Sequence, residues 1–212
     1  MDTTRAATLP GGVRPEVGMG IYNQKLGMWI FLASEVMFFT GLIGAYIILR
    51  FGTEEWAEPG QVLDIWVTAA NTFLLICSSV TMVKAYAAAV DGNPRQLRLF
   101  LALTALLGAT FVSVQGYEYF HLAHDKGFLP RCTELGAATI PNCHLYGSTF
   151  YTMTGFHGTH VTIGVLCMLF VTWKAFRGKY GPDNYGGVET VGLYWHFVDL
   201  VWIILFTIVY LI

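Results

Sequence analysis

Side chains that can exchange protons or hold a ligand recur inside the most apolar stretches of this chain. Glu35 interrupts an otherwise uncharged run between Lys25 and Arg50. His157 and His160, in GFHGTH, stand three residues apart on one face of a helix, with Gly164 one turn further on. Glu189, His196 and Asp199 follow at spacings of seven and three, and Gln115 and Glu118 lie in QGYEY, where Glu118 is placed to reach the membrane interface. Imidazole and carboxylate can ligate iron or zinc, contact lipid headgroups, guide protons or oxygen to a partner, or tie helices together. A tie of that kind is worth about 0.6 to 2 kcal/mol. An ionisable group in an apolar span is costly enough to require a partner, water or a polar ligand.

The elements that carry these residues are set by composition. The chain of 212 residues is 55% hydrophobic and 12% charged, with a mean hydropathy of +0.54, which describes an integral membrane protein and not a soluble domain. Its 12 basic and 14 acidic residues form no clustered basic face, which argues against nucleic acid as a partner. Five apolar segments, at about 26–50, 63–88, 98–121, 146–175 and 189–212, are long enough to span a bilayer. Backbone polar groups cannot face lipid unsatisfied, so the expected fold is an all-α membrane protein. A polar tail, 1–24, has no apolar core and does not resemble a cleavable signal peptide, so it is expected to lie in the cytoplasm. Residues 25–212 then form one membrane domain.

Basic residues orient the spans. With the N-terminus inside, Arg5, Arg14, Lys25, Lys84, Arg95, Arg98, Lys174, Arg177 and Lys179 all fall on the cytoplasmic side, and only Arg50, Lys126 and Arg131 fall outside. The C-terminus is then outside. So is the loop 122–145, where Cys132 and Cys143 are expected to form a disulfide, since their spacing is not that of a structural zinc site. Cys77 and Cys167 are expected to be packed and reduced. Small residues Gly41, Gly44, Ala45, Gly155, Gly158 and Gly164 would let helices approach closely, and Trp29, Trp66, Trp173, Tyr180 and Tyr210 would anchor the interfaces.

Depth predicts one pairing. At about 1.5 Å per helical residue, Glu35 lies about 15 Å from Lys25 and His160 about 21 Å from Lys174, close enough for the two side chains to meet on tilted neighbouring helices. Burial favours their neutral forms and mutual contact favours the ion pair.

Four segments, WIFLASEVMFFTG, QGYEY, FYTMTGFHGTHVTIG and VGLYWHFVDLVWIILFTIVYL, resemble subunit III of the haem–copper cytochrome c oxidases, in the family's order and across nearly all of the chain from Gly20. The chain looks like the short bacterial form. The resemblance implies a V-shaped five-helix bundle in the bacterial plasma membrane, with no catalytic residue, haem, copper or other metal of its own. It implies haem and copper on partner subunits I and II, phospholipid in a cleft, support of proton uptake, and a place in a complex that passes electrons from cytochrome c to oxygen and translocates protons. Supercomplex partners are compatible with it. Glu35 matches the family's carbodiimide-reactive glutamate, His157 and His160 its H-x-x-H, Glu118 the acid of its EY motif, and Trp195, His196, Asp199 and Trp202 its WHF-x-D-x-x-W. These residues would form the lipid cleft and the interhelical polar network. The loop holding Cys132 and Cys143 is longer than expected for short bacterial relatives.

Cytochrome c is preferred as donor because the resemblance implies aspartate at the position of Glu35 in quinol-oxidase relatives. The alternatives are subunit III of a quinol oxidase, an accessory protein of nitric oxide reduction, and a free-standing metal-dependent membrane enzyme using Glu35, His157, His160 and Asp199. No close cysteine pair suits a dicopper centre.

Overall fold

The computed structural model describes residues 23–182 and 184–212, and the tail expected at 1–24, with Arg5 and Arg14, lies outside them except for its last two residues. The helices are α1 (Asn23–Phe51), α2 (Pro59–Val62), α3 (Ile65–Val90), α4 (Pro94–Asp125), α5 (Glu134–Thr139), α6 (Cys143–Phe176) and α7 (Gly186–Phe206), the last continued by a π-helical turn, Thr207–Leu211. Five of them are long and apolar enough to cross a membrane.

Polar residues at the segment ends start and stop these helices. Asp64 accepts from the Val67 N–H to cap α3, and Asn93 accepts from the Gln96 N–H to cap α4, whose first residue is Pro94. Between α3 and α4 the chain reverses at Gly92, whose φ of +69° suits a residue without Cβ.

Helices α3, α4, α6 and α7 pack into a bundle, and α1 lies against α6 and α7. Only Leu32, Phe39 and Tyr46 of α1 are buried, one residue in every seven, so a single narrow seam holds it. Large apolar side chains on its other faces, including Ile30, Met37 and Ile48, are exposed, as a lipid-facing helix requires.

Two tryptophans of α7 organise the bundle. Trp195 and Trp202 are each 1% exposed, and each indole N–H is satisfied by α3: Trp195 Nε1 donates to Ser78 Oγ and Trp202 Nε1 to Thr72 Oγ1, both at 2.9 Å. Room for the Trp195 ring comes from glycines. A Cβ at Gly108 of α4 would stand 2.4 Å from its Cη2, and one at Gly164 of α6 would stand 3.0 Å from its ring. The small residues of α1 have a different fate from the one expected of them. Gly41, Gly44 and also Gly155 of α6 have nothing within 4 Å of an added Cβ, so they bring no described helix closer.

At one end of the bundle, the connections form a cap. Cys132 and Cys143 are joined in a disulfide, the Lys126 ammonium donates to the Gln61 and Val62 carbonyls, Tyr151 OH donates to the Phe128 carbonyl, and the Asn142 amide reaches the Glu55 carbonyl. Helices α4 and α6 run on to Asp125 and from Cys143, leaving a shorter connection than 122–145.

Gly108→Ala is expected to destabilise the bundle by about 1–3 kcal/mol through overpacking against Trp195. The check is the thermal midpoint of the purified membrane complex, with Gly41→Ala as the substitution that leaves it unchanged.

Candidate functional site

Glu35, His157, His160, His196 and Asp199 separate into three groups. The first joins α1 to α6. His160 Nε2 and Glu35 Oε2 are 3.1 Å apart, with side chains 15% and 18% exposed. His160 Nδ1 lies 2.7 Å from the Phe156 carbonyl, which only accepts, so Nδ1 carries a proton. Nε2 therefore faces a carboxyl oxygen across a hydrogen bond that needs one further proton, whether it rests on nitrogen or on oxygen. The pair is then neutral as a unit, as a bilayer demands. This is the pairing that depth predicted.

The second group lies in the core. His157 is fully buried, stacks on Trp202 at 4.9 Å between ring centroids and meets the edges of Phe39 and Phe111. Neither ring nitrogen has a partner among the described residues. Its imidazole serves here as a flat ring in an aromatic stack.

The third joins α3 to α7. Ser79 Oγ donates to Asp199 Oδ2 at 2.6 Å, and His196 Nδ1 lies 3.3 Å from the same hydroxyl. Since the one Ser79 proton goes to Asp199, the hydroxyl accepts from the imidazole. Asp199 Oδ1 is buried without a partner among the described residues.

Glu118 does not reach the interface freely. It is 7% exposed, and its Oε1 accepts from Thr68 at 3.0 Å and Tyr210 at 3.1 Å. Tyr210, expected as an interface anchor, is 2% exposed, whereas Trp66 is 87% exposed. The π-helical final turn folds Tyr210 inward onto the acid. Nearby, Gln115 Nε2 donates to the Thr154 carbonyl at 3.1 Å. Cys77 is half-buried and Cys167 exposed, so Cys167 is not packed as expected.

Other ties are less visible in the sequence. Lys25 Nζ and Glu189 Oε1 meet at 2.6 Å, joining the starts of α1 and α7. Arg50 donates to Tyr46 OH at 2.9 Å and reaches the Ile212 carbonyl. The signal for both was a charge at each end of the first span, but nothing in the sequence gave the partner. Ser78, Thr72 and Ser79 carried no signal beyond being polar in an apolar segment.

The four residues of a metal-enzyme reading therefore lie in three separate environments. Among the described residues, no three His, Cys, Asp or Glu side chains are grouped so as to hold a metal ion.

The family model for cytochrome c oxidase subunit III matches residues 1–212. The chain belongs to the cytochrome c oxidase subunit III family. It is similar to cytochrome c oxidase subunit 3 of Thermostichus vulcanus, with 39% identity over 89% of this chain and 87% of the relative. It is also similar to that of Synechocystis sp., with 40% identity over 89% and 75%, and to a probable cytochrome c oxidase subunit 3 of Mycobacterium leprae, with 37% identity over 89% and 87%. Membership makes this membrane chain an accessory subunit of a haem–copper oxidase, in a complex with other oxidase subunits. In subunit III terms, the segments that carried the resemblance hold the Glu35–His160 pair and the Trp195 and Trp202 core.

Two measurements follow. A double-mutant cycle between Glu35 and His160 is expected to give coupling of about 0.6–1.7 kcal/mol in the unfolding of the complex. Thiol titration of the denatured, unreduced chain should find only Cys77 and Cys167, and reduction should add Cys132 and Cys143.

Proposed function

We propose that this chain is the non-redox subunit III of an aerobic terminal oxidase of the bacterial plasma membrane. It stabilises the catalytic subunit, holds structural phospholipid and supports proton uptake while the complex passes electrons from cytochrome c to oxygen and translocates protons. Haem and copper reside on the partner subunits I and II, and this chain contributes no catalytic residue. The N-terminus is cytoplasmic and the C-terminus extracytoplasmic, as the basic residues argue. Family membership supports the oxidase assignment. The observation that carries the accessory role is the separation of Glu35 and His160, His157, and Asp199 into different environments, the first and last engaged as ties between helices and His157 stacked in the core.

A cavity of about 450 Å³ supports the lipid role. It lies where the start of α1 meets α6 and α7, with Leu166 and Phe170 as apolar wall and Gln24, Lys174, Tyr180 and Thr190 as polar rim. The Lys174 ammonium suits a phosphate. Burial pushes the Tyr180 phenol above its ordinary range, so it stays a neutral donor at physiological pH. Bound there, a phospholipid would run its chains along the α1–α6 seam that Glu35 and His160 close, and would fasten α1 to the bundle. A neutral Glu35–His160 pair also offers a proton-exchanging group beside that seam.

Glu35→Ala or His160→Ala is expected to lower the phospholipid retained by the purified oxidase and to shorten its working life during turnover, with the haem spectrum unchanged. Unchanged lipid content and lifetime would count against the lipid role. Oxidation of quinol instead of cytochrome c by the same preparation would reassign the donor.

A further inference from the structure

A second cavity, of about 460 Å³, opens at the opposite end of the bundle, where α2 leads into α3 beside the last turns of α4. Asp64, Trp66, Tyr117, Glu118, His121 and Lys126 line it. We propose that it binds the phosphoethanolamine headgroup of a zwitterionic phospholipid.

The argument starts from Glu118. Its side chain is more than nine-tenths buried, and both of its described hydrogen bonds fall on Oε1. Oε2 accepts nothing from a described residue, and the residue lines the cavity. Open to the cavity, that oxygen can accept from an occupant's N–H. Asp64 brings a second acid to the same wall, with its Oδ1 accepting only a long 3.4 Å bond from the α3 backbone. Two acids ask for a cation, and the volume is far larger than an ion needs. A quaternary ammonium has no N–H to give Oε2, whereas a primary ammonium has three. Trp66 and Tyr117 add aromatic faces suited to the same cation.

The opposite charge is supplied beside it. Lys126 Nζ donates to the carbonyls of Gln61 at 2.9 Å and Val62 at 2.6 Å, which leaves one N–H of the three for a phosphate. Acid and ammonium thus stand in one cavity in the sense that a zwitterion requires. The position suits a lipid. Asp64 and Lys126 bound the apolar segments of α3 and α4, and exposed Trp66, Phe73, Leu106 and Tyr117 give its chains an apolar surface. This headgroup site lies at the far end of the helices from Lys174, so it stands apart from the cavity described above.

The test uses the whole oxidase complex, in nanodiscs with equal phosphatidylethanolamine and phosphatidylglycerol, and counts retained lipid by native mass spectrometry. Asp64→Asn keeps the α3 cap, and Glu118→Gln keeps an acceptor for Thr68 and Tyr210. The wild type is expected to prefer phosphatidylethanolamine by about tenfold, the worth of one charge-assisted hydrogen bond, and each variant should bring retention close to parity. Displacement of the retained lipid by free phosphoethanolamine would show that the headgroup suffices, and its failure to displace would show that the acyl chains contribute. Both outcomes support the site. Equal retention of the two lipids by the wild type, as a neighbour's basic side chain filling the cavity would cause, overturns it. So does a preference that survives both substitutions. Lys174→Ala separates the two lipid claims, because it should release lipid from the other cavity and leave this preference intact.

Discussion

Hydrocarbon gives helices almost no reason to bury leucine against leucine, because lipid tails are as apolar as the side chains they would replace. What can hold such helices together is shape and hydrogen bonding, and this bundle depends on both at the same residues. Trp195 fills notches left by Gly108 and Gly164 while donating to Ser78, and Trp202 stacks on His157 while donating to Thr72. In both residues the ring fills space and the indole N–H meets a hydroxyl, so neither tryptophan leaves its own polar atom unmet.

Helix α1 shows how the same constraint acts where the packed seam is thin. Its buried residues are Leu32, Phe39 and Tyr46, and a polar contact stands at each of three depths: Lys25 with Glu189, Glu35 with His160, and Arg50 with the Ile212 carbonyl. The central contact is proton-balanced by its geometry, which lets it sit among lipid-facing side chains. The outer two lie where water and headgroups can share the charge. Ionic and neutral ties are thus sorted by depth.

Much of this was legible in the sequence, for definite reasons. Charges at segment ends delimit the five membrane helices because ions are expelled from hydrocarbon, and helical rise alone brought Glu35 and His160 to similar depth. The disulfide was legible because two thiols share one polar loop. Packing partners were not legible. Gly41 and Gly44 look like contact residues by type, yet face open space, whereas the less conspicuous Gly108 receives an indole. Tyr210 looks like an anchor because it sits near the chain end, but a π-helical turn rotates it onto Glu118. Rotation about a helix axis decides these cases, and a uniformly apolar segment carries little periodicity from which to read it.

The two indoles on α7 also limit what kind of movement the molecule can make. Sliding α7 along its neighbours would drag Trp195 out of its notches and part both N–H groups from their hydroxyls at once, and neither α4 nor α6 has a second glycine one turn from Gly108 or Gly164 to receive the ring. A piston stroke is therefore closed to this helix. Helix α7 is thus pinned as a strut against α3, α4 and α6.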